Sequence, residues 1–248
     1  MTNLNGERRE LTWRELNLMA WRLRRRGMEM IIKAGSGHPG PILSVAEIIT
    51  VLYFKIMRLD PRRPTWPDRD RFILSKGHAC PILYAALAEL GYFPEEWLWT
   101  LRRPGSRLQG HPDMKKLPGI DMTTGSLGNG LSIGLGMALG GRIDKKDYHV
   151  YVVLGDGEIQ EGQVWEACMA ASHYKLDNLT AFLDHNGLQI DGKITDVLSP
   201  ETVEDKFRAF GWKVVNVNGH DHLQIIEAIE AAKKTVGMPT MIIADTVK

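Results

Sequence analysis

Short runs of apolar residues, four to eight long, recur along the chain with helix-period stretches between them. The runs at Arg71–Leu74, Tyr148–Leu154, Leu179–Leu183, Trp212–Val217 and Thr240–Thr246 are mostly rich in Val, Ile and Phe, the composition of strands. They are apolar on both faces, which predicts a parallel sheet covered by helices on either side. Strands alternating with helices, rather than grouped in blocks, predict an α/β fold. Capping signals place the helix starts. Thr12-Trp-Arg-Glu15 predicts a capping box opening a helix that runs to Gly35 and Gly37, Ser44-Val-Ala-Glu47 predicts a second, and Asp221 predicts an Asx cap on the last helix.

Composition narrows the class. At 248 residues, 44% hydrophobic and 25% charged, the chain is an ordinary folded protein. Lys and Arg total 31 against 30 Asp and Glu, so no global field draws it to nucleic acid or to an anionic membrane. The cluster "WRLRRRG" places Arg22, Arg25 and Arg26 on one side of a helix, the pattern of a solvated face. The polar start "MTNLNGERRE" and the lack of a ~20-residue apolar run indicate neither export nor insertion and predict a cytoplasmic protein. Cys80 and Cys168 stand far apart with no CxxC spacing and read as core residues.

The candidate chemistry begins at "VYVVLGDG", residues 150–157, where a buried strand runs into a carboxylate flanked by two glycines. In open α/β sheets ligands gather at the carboxyl ends of strands, so Asp156 could hold a hard cation against a phosphate bound by the amides of the following turn. The next strand ends in "LDHNGLQIDG", where Asn186 and a carbonyl of the adjoining turn could add oxygen ligands. Helix capping by Asp156 and chain reversal at Asn186 are the plain alternatives. Of eight histidines, His149, His173, His185, His220 and His222 read as core or surface residues. His38, His78 and His111 lie in loops beside Gly or Pro, where an imidazole can reach a ligand. The run "GSLGNGLSIGLGMALGG" fails the dinucleotide fingerprint in spacing and lacks a preceding strand. Its Gly130, Gly134 and Ala138 share one helix face suited to close packing, between elements or between subunits.

Four stretches, "GSGHPG" at 35–40, "SKGHACPILY" at 75–84, "GHPDMKKLPGIDMTTGSLGNG" at 110–130 and "GDGEIQEGQ" at 155–163, together with Asn186 thirty residues after Asp156, resemble the transketolases in order and spacing. The resemblance implies a thiamine-diphosphate-binding fold, with residues 1–248 forming the diphosphate-binding domain. It implies that Asp156, Asn186 and the backbone oxygen of Leu188 hold Mg²⁺ (or Ca²⁺ or Mn²⁺). Gly155, Gly157 and His78 would lie near the diphosphate. Gly125, Ser126 and Leu127 would lie near the pyrimidine, Ile190 against the thiazolium, and His38 and His111 toward the sugar substrate. Glu161 would meet the partner domain. Transketolases often carry Pro where Ser126 stands, so the backbone of that loop is less constrained here while its amides stay available. The similarity matches the amino-terminal third or so of a full-length transketolase. That implies one subunit of a split enzyme acting on sugar phosphates, partnered by a C-terminal subunit with the pyrimidine-binding domain in an α2β2 assembly and inactive alone. The α chain of a 2-oxo acid dehydrogenase is the alternative, since it too carries a GDG-to-Asn motif.

Overall fold

The computed structural model describes residues 11–190 and 192–248; the charged amino-terminal decapeptide lies outside the described residues. Its helices are α1 (Trp13–Ala34), α2 (Pro39–Ser44), α3 (Ala46–Val51, continued by a π turn over Leu52–Ile56), α4 (Cys80–Leu90), α5 (Asn129–Ile143), α6 (Gly162–His173), α7 (Ile194–Leu198), α8 (Val203–Ala209) and α9 (His222–Lys233). Strands β1 (Arg71–Leu74), β2 (Val150–Gly155), β3 (Leu179–His185), β6 (Lys213–Asn218) and β7 (Thr240–Asp245) form one sheet in the order β1-β2-β3-β7-β6, parallel throughout. A small antiparallel hairpin pairs β4 (Leu188–Gln189) with β5 (Gly192–Lys193). All five predicted strands are present, each within about two residues of its expected ends.

Period-two alternation divides the sheet between two cores. Phe72, Leu74, Tyr151, Val153, Phe182, Ile242 and Ala244 face α1, α3, α4 and α9. Ile73, Val150, Val152, Leu154, Leu183, Met241 and Ile243 face α5, α6 and α8. Burying both faces of a strand is why these runs are continuously apolar.

Two of the three predicted caps form. Thr12 and Glu15 make the reciprocal box, Glu15 N donating to Thr12 Oγ1 at 3.4 Å and Thr12 N to Glu15 Oε2 at 2.9 Å, and α1 ends at Gly35 with φ 62°. Asp221 accepts from the amides of Leu223 and Gln224. The box expected at Ser44 and Glu47 does not form: Ser44 is the last residue of α2, and no side chain caps α3. Both side chains are buried and have stronger partners across the fold. Ser44 Oγ donates to Asp184 Oδ2 at 2.7 Å, and Glu47 pairs with Arg24 of α1.

The glycine-rich face of α5 packs on this chain's own sheet. A Cβ on Gly130 would sit 2.2 Å from Ser75 Oγ, and one on Gly134 2.5 Å from Val152 Cγ2, so only a bare backbone allows the helix this close.

At the start of β2, His149 packs against Tyr151 with ring centroids 4.8 Å apart, and its Nε2 lies 2.8 Å from Thr180 Oγ1. Burial, then the Lys233 charge, pushes its pKa from 6.5 down to about 4. The unfolded chain therefore takes up a proton between pH 6.5 and 4 that the folded chain refuses, and stability falls as pH drops through that window. Urea unfolding of wild type is expected to lose about 2 kcal/mol more between pH 7 and pH 5 than His149→Gln. Equal losses would show that this histidine is not the group responsible.

Candidate active site

Strand order sets the location. The chain moves from β1 to β2 to β3, passes over to β6, and returns to β7, so the direction reverses between β3 and β7. Helices α6 and α9 lie on opposite faces there, and in open α/β sheets ligands bind beyond the carboxyl ends of the strands at such a point. Asp156, Asp184, Asn186 and Thr246 all lie at those ends.

Asp156 is 1% exposed. Its Oδ2 accepts from the amides of Asn186 at 2.7 Å and Gly187 at 2.5 Å, which ties the β2 turn to the β3 turn. Its Oδ1 is buried with no hydrogen-bond partner. Burial raises its pKa to about 6, opposed by the nearby His185 charge and the two amides. An orphaned carboxylate oxygen is expensive to bury, and a hard cation would satisfy it. Asn186 Oδ1 accepts from Leu188 N at 3.1 Å and keeps a second lone pair. A carboxylate oxygen and an amide oxygen at adjacent strand ends are hard donors, which would suit Mg²⁺ better than a softer metal. No cluster of three His, Cys, Asp or Glu suited to a metal occurs among the described residues.

The helix expected directly after Gly157 begins later. A single 3-10 turn covers Gly157–Gln160, and α6 starts at Gly162. Glu158 is the cause. Its buried carboxylate accepts from Gly128 N at 2.9 Å, Gly155 N at 3.1 Å and Ser75 Oγ, folding the turn back onto two other loops. Burial raises the Glu158 pKa, and those three donors counter it.

A second buried knot lies at the end of β3. Lys76 and Asp184, 2% and 0% exposed, form an ion pair, and Asp184 also accepts from Ser44 Oγ at 2.7 Å, Thr246 Oγ1 at 2.5 Å and Asn186 Nδ2 at 3.1 Å. Burial pushes the Asp184 carboxyl upward, but Lys76 and the two hydroxyls outweigh it and hold the pKa below the usual value. One carboxylate thus fastens the "SKGH" loop, the end of α2, the Asn186 turn and the segment after β7. Sequence reasoning passed over Lys76, Asp184 and Glu158. Their signal is charge placed inside apolar or glycine-rich motifs, but each has a decisive side-chain partner far along the chain, 83 residues away for Glu158 with Ser75, 108 for Lys76 with Asp184 and 140 for Asp184 with Ser44.

His38 and His78 meet edge to face, ring centroids 5.2 Å apart. Burial, then the Lys76 charge, drives the His78 pKa down to about 3; burial and Arg102 lower those of His38 and His111. All three imidazoles are neutral near pH 7, each with one donor and one acceptor nitrogen for hydroxyl groups. His111 lies over Gly125, where a Cβ would come within 3.0 Å of the ring. Ser126 Oγ accepts from Asn129 Nδ2 at 2.9 Å, which restrains the loop where a proline would have stiffened it. Leu127 and Ile190 are exposed apolar residues, 37% and 80%. Ile190 has φ 54°, and its carbonyl accepts from Lys248 Nζ at 3.2 Å. Glu161 is exposed beside Gly128 at the start of α6. His185, set aside on sequence, sits against Asp245 and Glu201 next to the Asn186 turn. Burial lowers its pKa, but the Asp245 hydrogen bond and the Asp156 charge outweigh that and raise it.

A parallel α/β sheet whose switch point carries a buried carboxylate oxygen without a donor, between glycine turns, has the form of a ligand-binding domain of the open α/β class. The chain belongs to the family described as "Transketolase, thiamine diphosphate binding domain", matched over residues 16–248, and is a transketolase-type enzyme subunit. It is 50% identical over 226 residues to the 6-deoxy-6-sulfo-D-fructose transketolase subunit SqwG of Clostridium sp. (strain MSTE9), covering 91% of this chain and 82% of that protein. It is 44% identical to an apulose-4-phosphate transketolase subunit of Phocaeicola vulgatus, covering 94% and 83%. Human transketolase is 46% identical over 92% of this chain, which spans only 36% of that protein. The crystal structure of Campylobacter jejuni transketolase superposes with a TM-score of 0.90 at 36% identity, covering 95% of this chain and 38% of that one.

Proposed function

We propose that this chain is the diphosphate-binding subunit of a two-subunit transketolase that moves a two-carbon ketol unit from a ketose phosphate, or a close analogue, to an aldose acceptor. The reading rests on one observation above the rest: Asp156 Oδ1, buried and without a donor, at the strand switch point beside Asn186. Asp156, Asn186 and the Leu188 carbonyl would hold Mg²⁺, with Gly155, Gly157 and His78 near the diphosphate. Gly125, Ser126 and Leu127 would border the pyrimidine, and Ile190 the thiazolium. Bound thiamine diphosphate supplies the reactive ring carbon and the electron sink for carbon–carbon cleavage.

The chain's own residues orient and protect. His38 and His111, both held neutral by burial and the Arg102 charge, would donate to or accept from substrate hydroxyls and move a proton at the carbonyl oxygen. Glu158 and Lys76 hold the loops that carry these groups. Exposed Leu127, Ile190 and Glu161 form an unfinished rim, which a partner subunit with the pyrimidine-binding domain would complete, in an assembly of two copies of each. The names of the two subunit relatives support a chain that works with a partner. A cytoplasmic setting fits a described chain in which no helix is long and apolar enough to cross a membrane.

Ketol transfer is expected to be undetectable with the purified chain alone and to appear on adding the partner subunit, with thiamine diphosphate and Mg²⁺ present. Full turnover by the single chain would overturn the split-site reading. Pyruvate decarboxylation without ketol transfer would point instead to a 2-oxo acid dehydrogenase.

A further inference from the structure

Beside the histidine loops lies a concave surface that the reading above does not use. Arg102, Arg103, Arg107, Lys115 and Lys116 line a cavity of about 580 Å³, with no carboxylate in its wall. The chain as a whole is almost charge-balanced, at +1, and the arginines of α1 are typical of the rest: Arg22 and Arg26 pair with Glu89, Arg24 with Glu47. Among the described residues none of the five cavity cations has an acidic partner. Arg102 Nη1 donates to Ser36 Oγ at 2.8 Å, and Arg107 lies 5.1 Å from the Trp97 ring centroid.

The loop that carries the three arginines is held in shape. Ser106 Oγ lies 2.7 Å from Thr100 Oγ1 and accepts from Leu108 N at 3.0 Å; Gln109 Nε2 donates to Ser106 O at 2.5 Å. Arg102 adopts φ 59°, uncommon for a residue with a side chain, while its amide donates to Leu108 O at 2.9 Å. That conformation lays its guanidinium across Gly110, where a Cβ would be 3.0 Å from Cζ, and toward Ser36. Arg102 therefore joins the cavity to the loops of His38 and His111, whose pKa values it helps to lower.

We propose that this cavity binds the phosphate or sulfonate group of a small organic anion, separately from the metal-bridged diphosphate. Its volume is that of a small-molecule site, guanidinium forks suit tetrahedral oxyanions, and unpaired cations repel one another until an anion enters. The source of the anion is either the far end of the substrate or a separate ligand. The inference rests on charge and shape and stands apart from the cofactor reading.

The test is calorimetric titration of the chain at low salt with glucose 6-phosphate and with glucose as probes, on wild type, Arg103→Gln/Lys116→Gln and Asp156→Asn. Glucose 6-phosphate is expected to bind and glucose not. The double variant should bind it at least about tenfold more weakly with an unchanged thermal midpoint, while Asp156→Asn binds it as wild type does. Glucose 6-phosphate binding no better than glucose, or equally well to the double variant, would overturn the site. In the enzyme reassembled with its partner, a raised KM for a phosphorylated acceptor with that for its unphosphorylated counterpart unchanged assigns the site to the substrate's tail. Unchanged KM values, with probe binding still lost, assign it to a separate ligand. Thiamine diphosphate affinity should be the same in the double variant and wild type, so failure of this site and failure of the cofactor site are read separately.

Discussion

Asp156→Asn is expected to fold normally and to lose at least about 100-fold in Mg²⁺-dependent affinity for thiamine diphosphate. The amide oxygen of Asn can still accept from the Asn186 and Gly187 amides, which is the structural part of the Asp156 role. What disappears is the negative charge on the oxygen that has no donor. A unit charge acting on a cation at ~4 Å is worth roughly 4 kcal/mol at the effective dielectric of a partly buried site, so a loss near 3 kcal/mol is a conservative expectation. Titration of wild type and variant with the cofactor, each with and without Mg²⁺, separates the charge from the fold. If wild type bound equally well without the metal, or the variant bound as tightly as wild type with it, Asp156 would be only a turn-forming residue.

Lys76→Met should be the most destabilising single substitution near the site, by about 3–5 kcal/mol, because it leaves Asp184 buried with its charge uncompensated. For a chain of this length that corresponds to a fall of roughly 6–20 °C in the unfolding midpoint. The double variant Lys76→Met/Asp184→Leu should recover part of the loss, since an apolar pair avoids the cost of burying two charges. Cofactor binding should not recover with it. Asp184 also holds Asn186 Nδ2, Ser44 and Thr246, and a leucine holds none of them. Denaturant unfolding with parallel cofactor titration measures both effects. A double variant that regained full cofactor affinity would show that the knot serves stability alone.

These two residues mark where the sequence was legible and where it was not. Asp156 could be found from the chain itself, because a lone carboxylate between glycines at a strand end is a local pattern. Asn186 and the three loop histidines were visible for the same reason. Lys76, Asp184 and Glu158 were not, although all three lie within motifs already singled out. The role of each depends on a partner far along the chain, and spacing carries no record of which distant loop folds against which. Ser44 and Glu47 show the converse. Their spacing is that of a helix cap, yet Asp184 and Arg24 reach them first, since a buried polar group gains more from a charged partner than a helix end gains from a neutral cap.

The sequence by itself determined the layered α/β class, the five strands to within a few residues and the strand-end address of Asp156 and Asn186. Those features follow from local periodicity and from the chirality of parallel crossovers, both of which are written within tens of residues. Only the tertiary structure decided that α5 packs on its own sheet and that a buried Lys–Asp pair and Glu158 fasten the site's loops together. It alone decided that five cations with no acidic partner among the described residues line one cavity, because electrostatic energy depends on distance through space, and folding sets that distance.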